Sequence, residues 1–564
     1  MSSNNIIVRE YLGSLKEDKE LDYLFPILLN SMGFRIVQTA KESKGQSQYG
    51  KDIIAIGKNE HGEKFRWYFE LKGYGDRDIT DKNYSSTDGI RESIIEAKDT
   101  AFNDTSIPEF NQLPIKIVLV HNGVLKTNIR PTFEGFISKE FKDGEFERWD
   151  IYYLTDLFSK YLFSEYLLSD SDSNRLFKKT LAFLDTPDNN YTDFKQLVNL
   201  QFAKIDTIKG RAFTKLFATL NILESIIFHY SIENNNLIAA KECSKYLTLY
   251  TWSWILKNKL DKKIPILREY NKLTKTQYDI FNAYFSKTFN VAKSQYGLFS
   301  ENGAFFERIG YPLRCFDYLD DIIYYCRLRE HFSKRNTDDT NIRNLRNRQK
   351  DLIIELIQNN NGFYRPILDN NSIPIMQLFV FFSDKKYLRQ KDVNFITSYI
   401  FETINNILIS KIKHNLLPEL YSNVAAVSEA FATGEKPEEY YDTSSMLLPV
   451  LLELLVIFNA KEVYEDVHKF LHEKLSLQIP SIDFDEYDVE QLLFERHLHQ
   501  EYHVDYIDKF FKDFEEFKEL VGKKVVIKKD YRTDKAGFSF LRYLAHSYYK
   551  NEILPEEWRI HLEK

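Results

Sequence analysis

The stretch YGKDIIAIGKNEHGEKFRWYFELKGYG, residues 49–75, decides how this chain is read. Arg66–Lys72 has the period-two alternation of a strand. Trp67, Phe69 and Leu71 therefore point to one face, while Tyr68, Glu70 and Lys72 point to the other. The first face is apolar and needs a helix packed against it. The second carries a carboxylate and an ammonium one pleat apart. Asp52–Gly57 reads as a neighbouring strand, and the polar connection KNEHGEK between the two reads as a hairpin loop. Asp52, which opens that hairpin strand, then converges on Glu70. Two carboxylates at such a distance repel unless a hard cation lies between them, and oxygen ligands of this kind suit Mg2+ (or Mn2+).

Working outward, Leu21, Leu24, Phe25, Leu28, Leu29 and Met32 follow the spacing of one helical face, which Gly33 ends. Pro26 lies inside that pattern and should kink the helix or move its start later. A strand is expected at Phe34–Gln38. After the hairpin come a helix near Gly89–Phe102, a strand at Ile115–His121, a helix near Pro131–Phe141, a strand at Trp149–Tyr153 and a helix from about Leu154. Alternation of this kind indicates an α/β domain over residues 1–165, with a mixed central sheet flanked by helices. Residues 166–200 are polar and turn-rich and read as a linker. Residues 201–564 read as a large all-α domain of amphipathic segments. Pairs such as Phe217–Tyr230 and Leu237–Leu256 resemble the helical hairpins of solenoids. No fixed period emerges, so a solenoid and an irregular helical body both remain open.

Composition agrees with this division. A chain of 564 residues exceeds what one core absorbs, and only 20 Gly and 14 Pro leave few turns, which favours long helices. Three cysteines, Cys243, Cys315 and Cys326, give neither a disulfide framework nor a zinc spacing and fit a reducing, cytoplasmic setting. The N-terminus has no apolar core of a signal peptide. The longest apolar run, Met446–Phe458, is too short for a bilayer and is interrupted by Glu453, so it reads as a buried core helix and no membrane partner is expected.

The residues of the quoted stretch describe a hydrolytic site. A divalent ion held by Asp52 and Glu70 would polarise a phosphoryl oxygen and lower the pKa of a bound water. Lys72 would orient that water or stabilise the charge building on the phosphate. Together these parts describe cleavage of a phosphodiester. The spacing Gly50-Lys51-Asp52 followed by Glu70-Leu71-Lys72 resembles the PD-(D/E)xK nuclease superfamily, most closely its Mrr-like restriction-endonuclease branch. The resemblance covers residues 15–165, although no Pro precedes Asp52. It implies a metal-dependent endonuclease acting on DNA more readily than RNA. It also implies a further metal ligand on the first helix, about eleven positions before a glycine. Asp22 meets that spacing relative to Gly33, with Glu20 as the alternative. Fusion of such a domain to a helical body resembles anti-phage defence effectors, in which the helices sense, oligomerise or bind a protein partner.

An E-x-K triplet alone carries little, since Glu17/Lys19, Glu42/Lys44, Glu96/Lys98 and Glu516/Lys518 share it. Only residues 70–72 lie on an aromatic-rich alternating strand eighteen residues after Asp52. The net charge of −7 argues against a non-specific nucleic-acid coat. Between Arg35 and Lys72, however, eight basic residues face five acids, and Lys41, Lys44 and Lys51 are expected to track phosphates. His121 ends a core strand and reads as structural. Two other functions stay open: a helical scaffold or sensor with an inactive nucleic-acid-binding domain, and a HEPN-type ribonuclease. Arg496 and His503 loosely match the HEPN spacing, His499 and His503 being placed on one helix.

Overall fold

Five strands, β1 (Arg35–Gln38), β2 (Ile53–Lys58), β3 (Lys64–Lys72), β4 (Ile115–His121) and β5 (Phe146–Trp149), form one mixed sheet in that order. In the computed structural model the sheet belongs to the first of two units, Met1–Leu247 and Thr248–Lys564. The structure describes residues 3–39, 49–87, 89–163, 168, 170–186, 189–205, 210–301, 303, 307–334, 339–474, 479–483, 489–495, 503–507, 513–523, 530–554 and 556–562.

The first three strands run antiparallel, and β3, β4 and β5 run parallel. The β2–β3 hairpin pairs Ile53 with Phe69 and Lys58 with Lys64, which is the register expected from the alternating faces. Its turn closes on Asn59, whose side-chain oxygen accepts the N–H groups of His61 (3.0 Å) and Glu63 (2.9 Å).

Helices α1 (Ser3–Ser14) and α2 (Asp22–Ser31) are joined through a π-helical turn, Glu17–Leu21. Phe25 of α2 meets the apolar face of β3 edge-on, its ring 5.2 Å from Phe69, and Phe34 lies 5.3 Å from Trp67. The opposite face of the sheet is covered by α3 (Asp81–Ser85), α4 (Ile90–Asp99) and α5 (Arg130–Glu140), where Ala97 packs with Tyr68 and Ile117. Pro26 is tolerated because α2 begins at Asp22, so the single carbonyl that it deprives is that of the helix's first residue.

Three readings of the first unit change. The helix α1 was not foreseen, yet it buries Val8, Tyr11 and Leu12. The last strand ends at Trp149 rather than Tyr153, because Asp150 accepts the N–H groups of Tyr152 (3.0 Å) and Tyr153 (3.2 Å) and starts α6 (Ile151–Tyr161). The segment expected as a linker, 166–200, contains α7 (Ser171–Ala182) and most of α8 (Thr192–Ala203). Asp170 caps α7 through the Ser173 N–H, and Phe177, Phe194 and Leu197 are buried. Helices α9 (Arg211–Glu233) and α10 (Leu237–Lys257) follow as the expected hairpin.

The second unit is mainly helical, including α11 (Ile264–Ala292), α12 (Glu307–Lys334), α13 (Asp339–Gln358), α14 (Ser372–Phe382), α15 (Gln390–His414), α16 (Val424–Thr433) and α17 (Leu447–Ile457). One two-stranded ribbon interrupts the helices: β6 (Ile479–Asp483) and β7 (His503–Ile507) pair antiparallel, which puts His503 on a strand and not on the expected helix. The apolar run 446–458 is the buried helix α17, whose Glu453 is neutralised by Arg559 at 2.7 Å. Phe316, Leu319, Ile323 and Cys326 form the buried face of α12, as their spacing predicts. Lys350 and Asp392 are fully buried as a pair, and the lysine also donates to the carbonyls of Phe382 and Tyr387. Among the described residues no helix is long and apolar enough to cross a membrane.

Gly50 is required twice over. Its φ is +67°, and a Cβ there would lie 1.9 Å from the Ser93 carbonyl oxygen of α4. Gly50→Ala is expected to cost about 2–4 kcal/mol, combining left-handed strain with overpacking. Urea unfolding measures this, and a loss below roughly 0.5 kcal/mol would contradict so close an approach of loop and helix.

Candidate active site

The hairpin brings Asp52, Glu70 and Lys72 together. Asp52 immediately precedes β2, and its backbone N–H donates to the Phe69 carbonyl (2.9 Å) while its side-chain Oδ2 accepts the Leu71 N–H (2.7 Å). These two bonds lock the carboxylate against β3. Glu70 and Lys72 project from the same face of β3, and Lys72 Nζ lies 2.7 Å from Glu70 Oε1. Asp52 is 8% exposed and Glu70 5%.

Burial, together with the neighbouring Glu70 charge, raises the Asp52 pKa to about 8. Burial alone would lower that of Lys72, but the charges of Glu70, Glu17 and Asp52 outweigh it and hold the ammonium well above its ordinary value. Lys72 is thus a fixed cation, not a group that takes up a proton near neutrality.

A third acid reaches the group, and it is neither of those expected. Glu17, in the π-helical turn, lies 3.7 Å from Lys72, and burial raises its pKa. Gly73 permits this approach, since a Cβ on it would lie 1.9 Å from the Glu17 backbone nitrogen. Asp22 opens α2, where the charges that it feels are Asp18 and Glu20; burial raises its pKa. Glu20 turns instead toward α9, where Lys215 (2.8 Å) and Arg211 hold it. Burial pushes the Glu20 pKa up, but these bonds and the Lys16 N–H more than offset it, leaving it below the ordinary value. In the sequence Glu17 was one of several uninformative E-x-K triplets. Its only signal was a charged run directly before α2.

Lys51 does not stand on an exposed basic edge. It is 4% exposed, donates to the Tyr49 carbonyl (3.0 Å) and lies 5.4 Å from the centre of the Tyr68 ring. Burial lowers its pKa to about 8, against the opposing pull of Glu96 and Glu70. Lys41 and Lys44 lie outside the described residues, as does Arg496. His121, level with Lys72 on β4, is structural: Nδ1 is 2.9 Å from the Arg77 carbonyl and Nε2 3.1 Å from Arg148. Burial lowers its pKa to about 4, so it is neutral at pH 7.

Among the described residues no three His, Cys, Asp or Glu side chains are grouped as a metal cage. Mg2+ does not demand one, because it is held by one or two carboxylates and keeps several waters. Asp52 and Glu70 fit it as a donor set of oxygens only. The proton affinity of Asp52 is raised first by burial and second by the Glu70 charge, and a cation would relieve the second of these. Comparison with family models, curated proteins and solved structures finds no match to this chain.

The pKa of Asp52 has a consequence for stability. An acid whose folded pKa is raised binds its proton more tightly when folded, so stability falls as pH rises from about 4, the unfolded value, to about 8. Asp52→Asn removes this cost while still accepting the Leu71 N–H. It is expected to be more stable than wild type by roughly 1–2 kcal/mol at pH 8, and by less at pH 5. Denaturant unfolding at both pH values tests this, and an equal difference at the two would refute the electrostatic account.

Proposed function

We propose that the first unit is a Mg2+-dependent endonuclease, similar to the Mrr-like branch of the PD-(D/E)xK nucleases, that hydrolyses phosphodiester bonds of double-stranded DNA. Restriction or anti-phage defence in the cytoplasm is the setting this suggests, with the helical region sensing a signal or binding a protein partner. One observation carries the reading: two buried carboxylates, Asp52 and Glu70, share one end of a hairpin with Lys72, 2.7 Å from Glu70. A structural sheet has little use for that arrangement, since burying like charges is costly unless function requires them.

Asp52 and Glu70 would hold the metal, which when bound supplies Lewis-acid polarisation of the phosphate and an acidified water. The backbone bonds to Asp52 fix one ligand before any ion arrives, so little reorganisation is needed. Lys72, kept cationic by its acidic neighbours, donates to the phosphoryl oxygens as charge develops and does not serve as the base. Glu17, 3.7 Å from Lys72, helps to orient it.

Cleavage of supercoiled plasmid with Mg2+ or Mn2+ tests this. Wild type is expected to cut and EDTA to stop it, with Asp52→Ala and Lys72→Ala each losing roughly 10²–10⁴-fold in rate and Glu17→Gln losing less. Cleavage that survives both Asp52→Ala and Lys72→Ala would sink the proposal. A parallel RNA substrate identifies which nucleic acid is cut faster.

A further inference from the structure

A second feature of the first unit has no part in the site above. A cavity of about 180 Å3 opens between α1, the start of α7, the end of α8 and the first turns of α9. That is far more than the roughly 10–15 Å3 that a single water needs. Three cations line it, Lys204, Arg211 and Lys215, against two acids, Glu20 and Asp170. Leu168, Ile205 and Leu216 supply apolar wall.

The cations already display how they hold an oxyanion. Glu20 Oε1 accepts from Lys215 at 2.8 Å, while Oε2 accepts from Arg211 and from the Lys16 N–H at 2.8 Å. The donors thus converge on one carboxylate from two directions. Across the cavity Lys204 donates to Asp170 (2.7 Å) and to the Ser173 hydroxyl (2.8 Å). Arg211 is also the first residue of a 23-residue helix that has no side-chain cap, so the positive end of the helix adds to the same field.

We propose that this cavity binds the phosphate of a small organic phosphate monoester, with Arg211, Lys215 and Lys204 as its cationic wall and Glu20 as the internal anion that the phosphate displaces. A phosphate dianion offers more charge and more acceptor oxygens than one carboxylate, so it competes well for guanidinium and ammonium donors. Releasing Glu20 is eased by the turn that carries it. Lys19 has φ +65°, a left-handed conformation that is strained for a lysine and persists only while neighbouring contacts enforce it. The apolar wall receives the organic part of the ligand. None of Asp52, Glu70 and Lys72 lines the cavity, so binding there does not depend on the nuclease reading.

Isothermal titration of the full chain in chloride buffer with EDTA tests this, using inorganic phosphate, adenosine 5′-monophosphate and, as uncharged control, adenosine. Both anions are expected to bind at one site per chain, and adenosine not to bind. Lys215→Ala and Lys204→Ala should each weaken binding at least about tenfold, and Glu20→Gln, which removes the internal competitor, should tighten it about threefold or more. Lys72→Ala should leave it unchanged. Lys204 touches Asp170 and not Glu20, so Lys204→Ala keeps the test open if a change at Glu20 disturbs the turn. Binding seen only in Glu20→Gln also supports the site. Absence of anion binding in both wild type and Glu20→Gln overturns it, as does binding that survives Lys204→Ala and Lys215→Ala together.

Discussion

The first unit is organised around two carboxylates that it buries side by side. Lys72 pairs with Glu70 and offsets part of the repulsion at Asp52, while the charges of Glu70, Glu17 and Asp52 keep Lys72 charged despite its burial. The three side chains form a mutually dependent group. Its geometry is fixed by backbone: the Leu71 N–H holds Asp52, and the β2–β3 register sets how far along β3 that contact falls. The apolar face of the same strand supplies the stability that such a group lacks. Trp67, Phe69, Phe25, Phe34 and Trp149 pack there as one aromatic cluster.

The turn from Lys16 to Leu21 links this group to the helices behind it. Tyr74 donates its N–H to the Leu15 carbonyl, and Arg211 lies 5.5 Å over the Tyr74 ring. Glu17 and Glu20, three residues apart, therefore look in opposite directions, one to Lys72 and the other to α9. Helices that the sequence assigned to a linker and a separate body belong to the unit that contains the sheet.

What the sequence disclosed followed from short-range periodicity. The two faces of β3, the hairpin and the convergence of Asp52 on Glu70 all depend on an alternation visible within residues 52–72. Glu17 was hidden because its position comes from a non-repeating turn, with Asp18 extended and Lys19 left-handed, and no periodic pattern reports that. Asp22 opens α2, as its spacing before Gly33 suggests, and the charges acting on it there include Asp18 and Glu20. The polar composition of 166–200 hid α7 because three of its buried positions, Ser173, Asn174 and Thr180, are themselves polar. Asp170, a capping residue directly before Ser171, was the local sign of that helix. At Trp149–Tyr153 the aromatic run outweighed Asp150 in the reading, yet the cap decides where the strand stops.

The two outer strands of the sheet, β1 and β5, are each four residues long, and the pairing of β1 with β2 shifts register between Ile36 and Gln38. Short, irregular borders are poor templates for a further strand, because a newcomer would find too few aligned amides and carbonyls to form a ladder. The described borders of this sheet are therefore ill suited to lateral growth, and an added strand would find at β1 and β5 only a short stretch to pair with.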